Sequence, residues 1–166
     1  MKLWTKVGLT VLAVGAAWAW RVAPYRNPAA AFAAFKDTTR FGAEDQILDP
    51  LILCGDGVVP TLLEALRDSQ MPYRRYAIRF LGRYDTPPVR ERLLEIIHSP
   101  SENSLVRGDA LQSLWDLDAE RARSVAQQYS ADTTYLGRIA ALMLDTPPSD
   151  WYERRSFLDA FFGRHT

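Results

Sequence analysis

Apolar residues recur at intervals of three and four along almost the whole chain after residue 28, and no stretch alternates apolar and polar positions over a useful length. This spacing predicts amphipathic helices, because residues three and four apart share one helix face. Glycines and prolines divide the pattern into short segments with very short connections, which force neighbouring helices to lie antiparallel as hairpins. We therefore predict an all-α fold.

Prolines mark the joints between these segments. Pro60 suits the first turn of a helix, where its missing N–H costs nothing, whereas Pro50 should kink or delay the helix that contains it. The tetrapeptide Asp-Thr-Pro-Pro begins at Asp85 and again at Asp145. Each copy predicts the end of one helix and the start of the next element.

The segments also repeat with a regular period, of about 30 residues, which is in the range of helical repeat proteins. "LLEAL" at 62–66 returns one such period later as "LLEII" at 93–97. Ala77, Ala110 and Ala140 stand at matching places in three segments, each again about one period after the last. Two helices in each period of this length are typical of an α-solenoid, and the two proline-pair joints are then two periods apart.

The segments "VPTLLEALRD", "YRRYAIRFLGRY" and "LVRGDALQSL" resemble HEAT-like repeats of the type found in phycobilisome lyases, over roughly residues 44–146. The resemblance implies a protein-binding scaffold with a concave surface. It also implies a ladder between units, made by an aspartate in the turn and an arginine in the second helix. Asp68 and Arg74 match that pattern, whereas Gly137 stands where the last unit would have its arginine. Lyase activity is not carried over, because fold does not determine function.

The N-terminal segment contains an uncharged run at 7–20, preceded by Lys2 and Lys6. As a helix, this run spans about 21 Å, which is short of a bilayer core of about 30 Å. One interpretation is an anchor helix from Leu3 to Ala23 with tryptophans at both interfaces. The alternative is a signal peptide cleaved after Ala19. We favour the anchor, which predicts a single-pass protein of the inner (plasma) membrane with its C-terminal domain outside the cytoplasm. The alternative predicts a secreted or periplasmic protein.

The predicted domain organisation has four parts. They are a signal peptide or anchor helix at 1–26, a linker and first helix at 27–43, HEAT-like repeats at 44–148 and a C-terminal capping helix at 149–166. The last helix should begin at a capping box of Asp150 and Glu153. Its predicted packing stripe is Trp151, Leu158, Phe161 and Phe162, and its predicted solvent face is Glu153, Arg154, Arg155 and Asp159. The same aromatic residues could instead anchor a partner.

Charge and cysteine content narrow the function. Residues 1–26 hold four basic residues and no acid, so the remainder has 16 basic and 20 acidic residues, a net charge of −4. Proteins that bind nucleic acid usually carry an excess of basic residues, so the net negative charge after residue 26 argues against nucleic acid as a partner. The single cysteine, Cys54, excludes an intramolecular disulfide and a cysteine-based zinc site, and its apolar context predicts a buried small side chain.

The most suggestive polar group is a row of arginines, Arg75, Arg79 and Arg83, which share one helix face. They form either ion pairs with acidic residues of adjoining helices or a surface for an acidic partner or anionic lipid. The acidic candidates are Glu64, Asp68, Glu91 and Glu95. The sequence contains no nucleophile elbow, phosphate loop or paired-histidine zinc motif, so we expect no catalytic residue, metal or cofactor.

These patterns predict a non-catalytic scaffold or adaptor of the cell envelope that grips another protein in the solenoid groove. The residues expected to contact that partner are Arg75, Arg79, Arg83, Trp151, Phe161 and Phe162. The competing hypothesis is a lyase-type enzyme, or an accessory subunit of one, whose arginine face holds an anionic ligand.

Overall fold

The computed structural model describes residues 15–16, 18–37, 44–145 and 155–164, and every regular element in those ranges is helical. Residues 15–16 and 18–21 are helical, and three short 3-10 turns cover Ala23–Tyr25, Glu44–Leu48 and Gly55–Val58. The α-helices are α1 (Pro28–Lys36), α2 (Asp49–Cys54), α3 (Val59–Ala65), α4 (Arg74–Leu81), α5 (Pro87–His98), α6 (Ser104–Leu117), α7 (Ala119–Tyr129), α8 (Tyr135–Asp145) and α9 (Phe157–Phe162). The all-α prediction is confirmed.

Helix starts follow the local chemistry of proline and asparagine. Asn27 caps α1 by accepting a hydrogen bond from the Ala29 N–H at 2.9 Å, and Pro28 begins the helix. Pro60 lies in the first turn of α3, as predicted. Pro50 does not kink a helix but stands in the first turn of α2, and the first proline pair likewise opens α5 after Thr86. Residues 146–148 of the second proline-pair joint lie outside the described residues.

The chain forms two compact units. The terminal unit comprises Met1–Val58 and Arg155–Thr166, and the repeat unit comprises Val59–Arg154. In the terminal unit, α2 packs against both α1 and α9. Ala31, Phe35, Leu51 and Val58 are completely buried there and form the centre of its core.

The repeat unit holds successive helical hairpins, α3–α4, α5–α6 and α7–α8, within 59–145. The second helices lie side by side, α4 against α6 and α6 against α8, whereas the first helices α3 and α5 have few contacts. We call the α4, α6 and α8 layer the second-helix layer. Its helices therefore pack more closely than the first helices do. This confirms a short helical solenoid.

Small residues make this close spacing possible. A Cβ atom added to Gly108 of α6 would lie 2.6 Å from ring carbons of Tyr135 on α8, so α6 and α8 meet at a glycine. Gly82, at the end of α4, faces Ser113 of α6, where an added Cβ would lie 3.1 Å from the serine Cβ. The Ser113 hydroxyl also donates a hydrogen bond to the Ile78 carbonyl at 3.1 Å. Close packing at these glycines and the hydrogen bond from Ser113 to a backbone carbonyl therefore stabilise the contacts between the second helices.

The predicted faces of the C-terminal helix are wrong in three places. Arg155 is buried rather than in water, and Leu158 and Phe162 are exposed rather than packed. The reason is that α9 docks on α2 through Ala160, while Arg155 forms a buried ion pair with Asp49. The observed capping box is Ser156 with Asp159, because Asp150 and Glu153 lie outside the described residues, as does Trp151.

Among the described residues, one helical stretch, Gln46–Ala65, is apolar and long enough to cross a membrane. Half of it is buried inside the structure, so it is weak evidence for a membrane span. Residues 1–14, which contain most of the predicted anchor, lie outside the described residues.

Candidate protein-interaction surface

Of the predicted arginine row, Arg75 and Arg79 lie on α4, whereas Arg83 lies in the turn beyond the end of that helix at Leu81. Arg75 and Arg79 reach across to Asp109 on α6, and Arg83 follows one turn later and is half-buried. The carboxylate of Asp109 is completely buried, and Arg75 and Arg79 each donate from Nη2 to its Oδ1 at 3.3 Å. Arg75 also donates from Nε to Oδ2. The two arginines therefore serve first as partners of a buried charge.

This arrangement has a clear electrostatic cause. A buried carboxylate is costly unless it is paired and hydrogen-bonded, and two guanidinium groups satisfy both requirements. In return, Asp109 holds the two long side chains in one orientation. Both side chains stay more than a third exposed, so a protein partner can still reach them. A surface whose arginines are already oriented loses less side-chain entropy on binding than a flexible one.

Asp109 was missed by sequence reasoning, although a signal for it exists. It lies 34 residues after Arg75 and 30 after Arg79, which is about one repeat period. A charge repeated one period away on matching helices is a neighbour in a solenoid.

The predicted ladder between Asp68 and Arg74 takes a different form. Arg74 donates to the backbone carbonyl of Asp68 at 2.7 Å and to that of Leu66 at 2.7 Å. The Asp68 carboxylate instead accepts a hydrogen bond from the Gln70 N–H at 2.9 Å. The ion pair of Arg74 is with Glu102, at 2.7 Å, and both side chains are largely buried. Glu102, in the turn before α6, therefore connects successive repeats.

The acidic residues that the sequence offered as partners of the arginine row pair elsewhere. Glu64 pairs with Arg67 at 3.2 Å, and Glu95 pairs with Arg92 at 2.6 Å, each within its own helical segment. These side chains help to line an open groove of about 370 Å³ between α3 and α5, together with Glu91. The groove carries both signs of charge and lies among the first helices, away from the second-helix layer.

A second polar centre lies in the terminal unit. Asp49 is buried and forms an ion pair with the equally buried Arg155, whose Nη2 is 3.1 Å from Oδ2. Arg21 contacts the same carboxylate at 3.5 Å and donates to the Ala160 carbonyl at 3.0 Å. Sequence reasoning did not bring these residues together and placed Arg155 in solvent, since Asp49 and Arg155 are 106 residues apart and no repeat period relates them.

The predicted aromatic contacts Phe161 and Phe162 also belong to the terminal unit. With Trp20, Arg21, Gln46 and Gly163 they line a groove of about 420 Å³. Phe162 is exposed and Phe161 is half-buried. The two groups of predicted partner contacts therefore belong to different units.

His98 and Cys54 are the remaining reactive side chains, and their contacts are those of structural residues. His98 Nδ1 is 2.9 Å from the Tyr129 hydroxyl, which links the end of α5 to α7. Cys54 is half-buried rather than fully buried as predicted, and burial, with the nearby Asp56 charge, raises the pKa of its thiol. The described residues contain no cluster of three or more histidine, cysteine, aspartate or glutamate side chains suited to a metal ion.

Comparison with known proteins agrees with this architecture. The sequence profile of HEAT repeats matches residues 53–144, more than half of the chain. No curated protein and no solved structure matches the chain significantly. The match is to HEAT repeats in general, not to the phycobilisome-lyase type, and such repeats are typically non-catalytic scaffolds for protein interactions. The helical hairpins, their period and this match together show that the chain belongs to the HEAT repeat family.

Proposed function

We propose that the protein is a non-catalytic scaffold of the cell envelope, which is held in the membrane by its N-terminal helix and binds another protein through the second-helix layer. The observation that carries this proposal is the pair of arginines on the second-helix layer that Asp109 orients. A partner with an acidic patch would complement Arg75, Arg79 and Arg83 and would be steered to this surface.

Membrane attachment is supported by the residues that follow the apolar run. Trp18 and Trp20 are exposed, which suits the interface between lipid and water. The Val22 N–H donates to the Trp18 carbonyl at 2.8 Å, so the last helical turn crosses the predicted cleavage position after Ala19. We take this segment as an uncleaved anchor because tryptophans stand at both ends of the apolar run, as in membrane-spanning helices.

The lyase-type alternative would use the same arginine face to hold an anionic ligand. An enzyme would also need a converging set of acid and base groups, whereas the carboxylate at this face, Asp109, is already paired with both arginines. A scaffold needs no such set, and it is therefore the function that we propose.

The test is site-specific photo-crosslinking of the full chain in native membranes. A photo-crosslinking amino acid at position 83 or 105 samples the second-helix layer, and the same amino acid at position 120 or 127 samples exposed sites on α7. We expect one adduct of discrete mass from the first pair and none from the second. Adducts from α7 alone, or from all four positions equally, would refute the assignment of the surface.

A charge change then tests the arginine row with the identified partner. Arg83→Glu is the variant used, because replacing Arg75 or Arg79 would disturb the buried Asp109. Arg83 also interacts within the chain, so Arg83→Gln separates the loss of that contact from the change of charge. Arg121→Glu makes the same charge change at an exposed position of α7 and serves as the control. We expect Arg83→Glu to weaken binding and to slow association at low salt, with unchanged circular dichroism, and Arg121→Glu to bind normally.

A further inference from the structure

The exposed apolar side chains are concentrated in the terminal unit. Among the described residues, seven large hydrophobic side chains are exposed, and five of them belong to this unit. They are Trp18, Trp20, Phe157, Leu158 and Phe162. Trp20 is the most exposed, at 81%. Single exposed apolar residues need no explanation, but a cluster of this kind marks a surface that meets another apolar phase.

Hydrogen bonds hold the two halves of this cluster together. Arg21 donates from Nε and Nη2 to the Ala160 carbonyl at 3.2 and 3.0 Å, which joins the helical segment at 18–21 to α9. Trp20, Phe161 and Phe162 consequently line the same groove. Because these contacts fix α9 to residues 20 and 21, the depth of those residues in a membrane also determines the depth of α9.

The charged groups beside these rings indicate the occupant. Arg26 lies over the ring of Trp18 at 5.3 Å, and Arg164 lies over the ring of Phe162 at 5.0 Å. Aromatic rings flanked by arginines suit the headgroup region of a bilayer with anionic lipids. The one acid of α9, Asp159, is hydrogen-bonded within the Ser156 cap.

We infer that α9 lies in the membrane interface beside the anchor, with Phe157, Leu158 and Phe162 in contact with lipid. This inference rests on the anchor of the proposed function, because it is the anchor that places Trp20 at the membrane surface. It adds a second lipid contact, from residues far away in the sequence. The terminal unit would then contact the bilayer at two places rather than at the anchor alone.

The test uses the full chain in liposomes that contain anionic lipid. A Cys54→Ser background carries one new cysteine, made by Leu158→Cys or Phe162→Cys, or by Leu142→Cys as a matched control on α8. All three positions are exposed, so labels there should not disturb packing. The cysteine carries an environment-sensitive fluorophore, and lipids with a quencher at the interface report contact.

We expect fluorescence from positions 158 and 162 to shift to shorter wavelength and to be quenched several-fold more than fluorescence from position 142. A water-soluble maleimide should modify unlabelled cysteines at 158 and 162 several-fold more slowly than the one at 142, which checks the result without a fluorophore. Equal quenching and equal modification at all three positions would overturn the inference. Flotation separates this failure from failure of the anchor. Protein that floats with liposomes but shows no contact at α9 keeps the anchor, whereas protein that does not float loses both.

Discussion

The two units are each organised around a buried aspartate held by two arginines, but the two sites differ in how they are built. In the repeat unit, Asp109 binds Arg75 and Arg79 from the preceding repeat, 34 and 30 residues away. In the terminal unit, Asp49 binds Arg21 and Arg155, which are 28 and 106 residues away. The first site joins neighbours in a periodic stack, and the second joins segments that no period relates.

The two sites also differ in the solvent exposure of their arginine side chains. The side chains of Arg75 and Arg79 are 41% and 35% exposed. In the terminal unit Arg21 is similar, at 32%, but the side chain of Arg155 is only 4% exposed. Without its aspartate, a half-exposed guanidinium can turn to water, but a buried one cannot. The same chemical group therefore serves as an accessible surface in the repeat unit and as an internal clasp in the terminal unit.

The largest effect should come from Asp49→Asn. This change leaves the positive charge of Arg155 buried without its counter-charge, which costs about 3–5 kcal/mol of unfolding free energy. Chemical denaturation of the full chain in detergent measures it. The double variant Asp49→Leu with Arg155→Met should recover most of the loss, because an apolar pair of similar volume often replaces a buried ion pair without penalty. A loss no larger than that of a surface variant would contradict the role of the clasp.

Asp109→Asn should cost less, about 1.5–3 kcal/mol, the range for a lost hydrogen bond to a charged group. Arg75 and Arg79 lose their fixed orientation but regain hydration. The same denaturation measurement ranks the two aspartates directly. If Asp109→Asn proved more damaging than Asp49→Asn, exposure of the partner arginines would not be the deciding factor.

A third change tests the close spacing of the second helices. Gly108→Ala places a methyl group against the Tyr135 ring, at 2.6 Å, whereas Gly57→Ala meets only an ordinary contact with Pro28 at 3.8 Å. Overpacking, partly offset by the better helix propensity of alanine, predicts a net loss of about 1 kcal/mol for Gly108→Ala. Thermal unfolding should show a lower midpoint for this variant and almost none of that shift for Gly57→Ala. Equal behaviour of the two variants would argue against contact between α6 and α8 at this position.

The smallest effect concerns the cap of α9. Hydrogen bonds from the Ser156 hydroxyl and N–H lower the pKa of Asp159 below its ordinary value. A lowered pKa means that this contribution to stability is fully present at neutral pH and is lost as the pH falls through the pKa of the folded state. Ser156→Ala should raise the pKa of Asp159 towards its ordinary value, which a carboxyl NMR titration measures. A titration curve unchanged by Ser156→Ala would show that the cap does not form in solution.

Several features of the fold were predictable because they depend on local chemistry or on a repeat. Pro60 predicted the first turn of α3, and matching alanines at 77, 110 and 140 predicted the stacked second helices. Asp109 could have been found by adding one period to Arg75 and Arg79. In contrast, the pairing of Asp49 with Arg155 depends on tertiary contact alone. The exposed face of α9 was misassigned because aromatic side chains usually indicate a core, whereas here Arg155 and Ala160 are the buried residues.

Each of the two buried aspartates, Asp49 and Asp109, stabilises the unit to which it belongs. Hydrogen–deuterium exchange of the full-length protein in lipid nanodiscs tests this claim, with Asp49→Asn and Asp109→Asn compared against the unmodified chain. We predict faster exchange in α2 and α9 for Asp49→Asn and in α4 and α6 for Asp109→Asn, with little change in the other unit in each case. Faster exchange of the same peptides in both variants would contradict the account.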